Sequence, residues 1–389
     1  MDLKLAYLSQ GKLFFKLNDL AVRQIDSRFG QDVINRTIQR QQRNEWKTQG
    51  QGTPFGGAML WGVTQGDQRA IHVQISGVTN GTREGEMLFG LETEGVGGLF
   101  LYDWSKDEER RLFHKENLRI RDLARQPETD LVACSQYFPN GTANIAVIKG
   151  TELHQITEGD SLDEAPAWLP GVRNKLVFQS AGLARNAQGY AVGLGPFAIH
   201  ALNLDTGTLA TLLEDPKFDF LCPRMNAEGD LFFIRRPYET PGRSHYPITG
   251  FLADVVLFPF RLSRALFHFL NFMSLTFSRK PLTTAAGPKV EAPDQKTLLL
   301  RGRIIDAEKA LRESAQNEIP SLVPPTWELI KRRPSGEENL VAKSVAAFDL
   351  DLDGNLVYSN GTAIFRSSRA GAPQLLVKGK LIENLTIIR

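Results

Sequence analysis

The chain has 389 residues, 42% hydrophobic, 9% aromatic and 23% charged, which excludes fibrous, collagen-like and wholly disordered proteins. Lys plus Arg number 46 against 44 Asp plus Glu, a formal net charge of +2, so neither a nucleic-acid coat nor an acidic tail is indicated. Two cysteines, Cys134 and Cys222, lie 88 positions apart outside any CxxC pattern; they make no disulfide framework or zinc site and are expected to be buried small hydrophobes.

The first ten residues, MDLKLAYLSQ, lack a basic stretch followed by a long apolar run and a small-residue cleavage site. The expected location is therefore cytoplasmic, with peripheral membrane contact as a further option. From here a short strand phrase recurs: a polar residue, Leu or Met, then apolar residues. It occurs at Lys12-Leu13-Phe14-Phe15, Glu86-Met87-Leu88-Phe89, Asp130-Leu131-Val132-Ala133, Lys175-Leu176-Val177-Phe178, Asp230-Leu231-Phe232-Phe233 and Asn355-Leu356-Val357-Tyr358. The intervals are 74, 44, 45, 55 and 125 residues, and 46 on wrapping through the C-terminus. Three of these match the repeat of roughly 40–45 residues expected for a four-stranded propeller blade. Turn signals such as Asn140-Gly141, Lys149-Gly150, Asp205-Thr206-Gly207 and Asn360-Gly361 separate the following β-rich runs into hairpins.

One blade cannot bury both faces alone, whereas six packed around an axis form a continuous core. The last run, Leu381 to Ile388, is expected to join the blade formed by Leu3 to Leu8, Lys12 to Leu17 and Ala21 to Ile25, fastening the ring. The expected fold is an all-β, six-bladed β-propeller closed by N- and C-terminal strands, a single domain over 1–389 with a hydrophobic helical insertion at 237–296. These repeats resemble the TolB-like, WD-related six-bladed β-propeller family. The resemblance rests on Ala165-Pro166-Ala167-Trp168-Leu169-Pro170-Gly171, the strand Lys175-Leu176-Val177-Phe178, and the later turn Asp205-Thr206-Gly207. Leu169 replaces the family's Ser and the Asp before Gly171 is missing, so the match is to repeat architecture. Trp168 is expected in the core.

The 125-residue interval contains more than a blade needs. Phe251 to Phe277 reads FLADVVLFPFRLSRALFHFLNFMSLTF, divided by Pro259. Beyond it, Arg261, Arg264, His268, Asn271 and Ser274 gather in one narrow helical stripe, leaving an apolar remainder. A single membrane crossing would put the two halves of the ring on opposite sides, so a helical hairpin is expected instead. Residues 235–312 hold 13 Lys/Arg and 6 Asp/Glu, a basic surround suited to an anionic lipid surface. The hairpin could dock to another protein or a second copy, bind a membrane peripherally, or cap the propeller itself. The expected partner-binding residues are Phe258, Arg261, Leu262, Arg264, Leu266, Phe269, Leu270 and Phe272. Another short helix or loop is expected at Gln31 to Lys47, a helix at Asp306 to Asn317, and a linker at Pro320 to Pro325.

Asp349, Asp351 and Asp353 precede Gly354 as in the start of a calcium loop. The twelfth position is Asn360 rather than a bidentate Glu, and the same residues satisfy a strand and turn, which is the reading adopted; no cofactor is expected. GxSxG, HExxH and GxxxxGK[ST] do not occur, and the six histidines do not cluster. The expected function is therefore a non-catalytic protein-interaction scaffold, not an enzyme and not a nucleic-acid binder. The alternatives are an enzyme or small-ligand sensor using the central channel, which inward carboxylates would favour, and a peripheral membrane-binding module.

Overall fold

The computed structural model describes residues 3–18, 20–49, 73–93, 95–239, 297–301, 303–306, 310–312, 314, 318–351, 354–367 and 372–389. Blade 1 starts with β1 (Lys4–Ser9), β2 (Lys12–Leu17) and β3 (Arg23–Ile25), and helix α1 (Arg28–Gln49) follows. Blade 2 is β4 (Gln74–Asn80), β5 (Glu86–Glu92), β6 (Val96–Asp103) and β7 (Glu108–Glu116); blade 3 is β8 (Ile120–Arg125), β9 (Leu131–Tyr137), β10 (Ala143–Lys149) and β11 (Glu152–Gln155). Blade 4 is β12 (Ser161–Trp168), β13 (Lys175–Arg185), β15 (Ala198–Asn203) and β16 (Thr208–Leu213), with β14 (Ala191–Leu194) paired to the overhang of β13. Blade 5 is β17 (Phe218–Met225), β18 (Leu231–Pro237), β21 (Glu328–Arg332) and β22 (Glu338–Lys343), interrupted by the hairpin β19 (Thr297–Leu300) and β20 (Arg303–Asp306). Blade 6 is β23 (Ala347–Leu350), β24 (Leu356–Ser359), β25 (Ala363–Arg366) and β26 (Gln374–Lys378). Finally β27 (Ile382–Ile388) pairs antiparallel with β1 and completes blade 1, as expected from the sequence.

The leading strands β27, β4, β8, β12, β17 and β23 each contact the next, and β23 returns to β27, so they surround a central axis. Burial follows radial position. The middle strands β5 (EMLFGLE), β6 and β10 are almost continuously buried because neighbouring blades cover both faces. The outermost strands β7 (EERRLFHKE), β16 and β22 face solvent and carry most of the exposed positions. Trp168 lies in the core as expected, its Nε1 donating to the Ala124 carbonyl at 2.8 Å. Both cysteines are free and buried.

The recurring phrase occupies the second strand from the axis in five blades, but the Lys12 copy lies on β2, the third strand of its blade. The phrase marks a strand buried on both faces; in blade 1 that strand is β1, while β2 buries Leu13 and Phe15 on one face and only partly covers Phe14 on the other. The turns after β17 and β23 are alike. Asn226 accepts from the Asp230 backbone and donates to its carboxylate, while Asp351 accepts from both the backbone and the side-chain amide of Asn355. Asp351 is thus a turn residue equivalent to Asn226, and Asp353 lies outside the described residues.

Strand direction divides the loops between two faces. Loops entering a first or third strand open on one face, and those entering a second or fourth strand open on the other. The first face receives both long connections, 26–73 and 238–327; the second carries tight turns and the chain ends at Leu3 and Arg389. Helix α1 starts where Ser27 Oγ accepts from the Gly30 N–H and the Glu109 carboxylate of the next blade accepts from Arg28 and Phe29. It extends beyond the Gln31 to Lys47 expectation at both ends. The second connection is longer than the 237–296 insertion read from the sequence; its residues 240–296, which include every expected partner-binding side chain from Phe258 to Phe272, lie outside the described residues. A helical turn is described at 310–312, and the supposed linker is packed: Leu322 and Val323 are buried and Trp327 is the largest fully buried side chain. Among the described residues, no helix is long and apolar enough to cross a membrane.

Candidate functional site on the propeller axis

The leading strands would present alternating side chains to the axis, but five contain a β-bulge: between Ile75 and Gly77, Arg121 and Ala124, Glu164 and Ala167, Leu221 and Arg224, and Ile382 and Asn384. Three of these hold a non-glycine residue in the left-handed region, with φ of 51° at Asp122, 52° at Ala165 and 54° at Cys222. A bulge turns adjacent side chains off the regular alternation. Here it brings Arg121, Asp122, Glu164, Cys222 and Arg224 toward a common polar centre.

The centre is a connected network. Arg121 lies 3.6 Å from Glu92 and stacks over the Tyr137 ring at 4.9 Å. Tyr137 donates to Glu164 Oε1 at 2.7 Å, and Gln179 Nε2 donates to Glu164 Oε2 at 3.0 Å. Gln179 Oε1 in turn accepts from the Cys222 backbone N–H at 2.7 Å, which satisfies the amide freed by the bulge. Toward blade 6, Arg224 pairs with Asp349 at 3.2 Å, and Asp349 Oδ2 accepts from the Ile387 N–H at 2.8 Å. Asp349 is therefore an axial ion-pair partner, not the first member of a cation loop. No group of three or more His, Cys, Asp or Glu able to hold a metal occurs among the described residues.

Arg301 enters this network from outside the blades, at the turn between β19 and β20. Its guanidinium lies 3.8 Å from Asp122 and donates to the Glu383 carbonyl at 3.0 Å. The hairpin is anchored by buried Leu300 and Ile305, which pack in the cluster containing Phe232, Ile234, Trp327 and Phe348. Arg303 fixes its base by donating to the Pro237 carbonyl at 2.7 Å and pairing with Glu239 at 3.1 Å. The axial ion pairs are deep: side-chain exposure runs from 6% at Glu92 to 25% at Arg121. The axis is thus lined by charged side chains held in ion pairs.

The electrostatics suit binding more than nucleophilic chemistry. Burial pushes the Cys222 thiol up, away from reactive thiolate, and pushes the Cys134 thiol up to about 12. Burial, and then the negative charge of Asp122, raise the Glu164 carboxyl, while the Tyr137 and Gln179 hydrogen bonds oppose the shift. A carboxyl with a raised folded pKa favours the folded state at low pH and loses that contribution as pH rises through the folded value. The variant Glu164→Gln cannot titrate, so the melting temperature of the natural chain relative to it is expected to rise as pH falls from 8 to 5. Thermal denaturation across that range checks the sign.

The axial network was not assembled from the sequence, although two prolines signalled it. Pro166 and Pro223 each follow a bulge residue, and a proline within a strand marks an edge or a bulge. The described histidines His114, His154 and His200 lie on outer strands, away from the axis. On the face with the long connections, a further polar cavity of about 440 Å³ is lined by Phe138, Asn140, Thr142, Asn144, Gln155, Glu158, Gly159 and Asp160.

No protein-family model matches the sequence, and no curated protein matches it. Solved structures do match in fold. The chain aligns over 99% of its length with 97% of a chain in the nidogen/laminin complex, at TM-score 0.50 and 8% identity. It aligns over 100% of its length with 67% of TolB from Acinetobacter baumannii, at TM-score 0.50 and 9% identity. Six four-stranded blades, a ring closed by pairing of the first and last strands, and these two likenesses together make the chain a six-bladed β-propeller, with TolB among its structural neighbours.

Proposed function

We propose that this protein is a non-catalytic protein-interaction scaffold. The observation carrying this reading is the sidedness of the disk: both long connections, 26–73 and 238–327, open on the same face, and the second carries Arg301 to the propeller axis. A propeller seen in a nidogen/laminin complex offers a precedent for the fold in protein binding. The sequence of 251–277 supplies the apolar surface for such contact, read as a helical hairpin that buries Phe258, Leu262, Leu266, Phe269, Leu270 and Phe272, with Arg261 and Arg264 at its polar margin. The expected partner is another protein or a second copy of the chain, and the expected location is cytoplasmic.

The test compares the natural chain with Leu266→Asp/Phe269→Asp, using sedimentation velocity for self-association and quantitative affinity capture for other partners. The variant is expected to keep the circular dichroism and melting temperature of the natural chain while losing its association by at least about tenfold, as for a buried apolar anchor. Unchanged association would sink the proposal. Vesicles containing anionic lipid, sedimented with the chain at low and high salt, separate the membrane alternative.

A further inference from the structure

We propose that the propeller axis is a binding site for a guanidinium cation, occupied here by the chain's own Arg301 as an internal ligand that an incoming arginine side chain can displace. The argument begins with charge matching. Arg121 has Glu92 as its partner and Arg224 has Asp349, so these two arginines are already neutralised. Asp122 remains, and the cation brought to it comes from no blade strand. Burial opposes the charge of Arg301, but Cys222, Asp122, Glu164 and Tyr137 more than offset it, holding its pKa above the ordinary value.

The manner of delivery supports an occupant distinct from the frame. Arg301 sits at φ 49°, in the left-handed region that a side chain with a Cβ seldom adopts, so the turn is held in a conformation that directs the guanidinium inward. The fit is also incomplete. Arg301 Nε is buried without a hydrogen-bond partner, and so is Ser135 Oγ, on a fully buried residue that shares the Tyr137 face of β9 and lies opposite Arg121 in register. Buried groups of this kind are normally paired, and a differently placed guanidinium can donate to Ser135 Oγ, an acceptor that Arg301 leaves open. Planar guanidinium is favoured over ammonium because Asp122 and the Glu383 carbonyl approach from two different blades, which a fork of five donors can span.

This inference does not rest on the scaffold reading and is tested without a partner. In the full chain, Arg301→Gln keeps two of the three methylenes and removes the charge, and it is expected to lower the melting temperature. Methylguanidinium chloride at about 10 mM should then restore at least half of the loss, while sodium chloride or methylammonium at equal ionic strength should not. The natural chain should respond less at that concentration, because its own tethered side chain must first be displaced. Adding Asp122→Asn to Arg301→Gln should abolish the rescue. Equal responses of Arg301→Gln and the natural chain, or rescue that persists without Asp122, would overturn the site. Should Arg301→Gln fail to fold, Arg301→Lys keeps the charge and serves by hydrogen exchange: methylguanidinium is expected to speed exchange of the Leu300 and Ile305 amides, and unchanged rates count against displacement.

Discussion

Replacing Asp219 by Ala is expected to cost about 3–5 kcal/mol, the range for removing one member of a buried ion pair. Asp219 and Arg236 are both 3% exposed and pair at 2.8 Å. The carboxylate has three other duties: its Oδ1 accepts from the Phe197 N–H, its Oδ2 lies 3.5 Å from Arg303, and its charge opposes the burial that lowers Arg236 to about 10. Arg236 also lies over the Trp327 ring at 4.7 Å, so it cannot swing into water without uncovering the largest buried side chain. The loss is therefore chiefly the cost of an unpaired buried cation. Asp219→Asn, which retains an acceptor for Phe197, should lose less, and Asp219→Ala/Arg236→Met should recover much of the single-mutant loss. Urea denaturation midpoints with equal slopes check the order; an Asp219→Ala midpoint within experimental scatter of the natural chain would contradict it.

Removal of β27 is expected to abolish folding outright. Ile382, Leu385, Ile387 and Ile388 are all buried, and at about 1.5–3 kcal/mol per side chain their loss is comparable to the whole stability of a typical domain. Truncation after Lys380 also removes the hydrogen-bonded partner of β1, the Ile387 donor to Asp349 and the Glu383 acceptor for Arg301. The truncated chain should be recovered aggregated or without cooperative unfolding, and a peptide spanning 380–389 supplied during refolding should restore a cooperative transition. A soluble truncated chain with the natural melting temperature would show that the ring does not depend on this strand. Leu385→Ala, at about 2–5 kcal/mol, is the graded counterpart.

These two sites differ in how far they could be read from the amino-acid order. Closure by β27 was legible because Leu381 to Ile388 has the same apolar content as the strands at the start of the chain and no other blade to complete. The blade count was legible for a related reason: a strand covered on both faces must be apolar along its length, so Lys175-Leu176-Val177-Phe178 and its counterparts stand out. The same rule blurs β1 and β2, which are both apolar, and the phrase was therefore found one strand too far out in blade 1. The axial site was not legible because bulges break the period on which strand reading depends, and Asp122, Glu164 and Cys222 acquire a common destination only when three blades meet. The β19–β20 hairpin was missed because Thr297–Leu300 and Arg303–Asp306 adjoin the much stronger apolar signal of 251–277.

The placement of Leu3 and Arg389 on the face of tight turns bears on how the molecule can be held. A surface anchor, a fluorophore or a fused domain at either end extends from the side opposite the two long connections, leaving those connections turned outward. A population captured by an end tag is thus aligned rather than scattered, and a probe in solution meets every copy from the same direction. Capture through lysines, which are spread along the chain, would randomise that approach, so the ratio of accessible sites under the two attachments measures the sidedness of the disk directly.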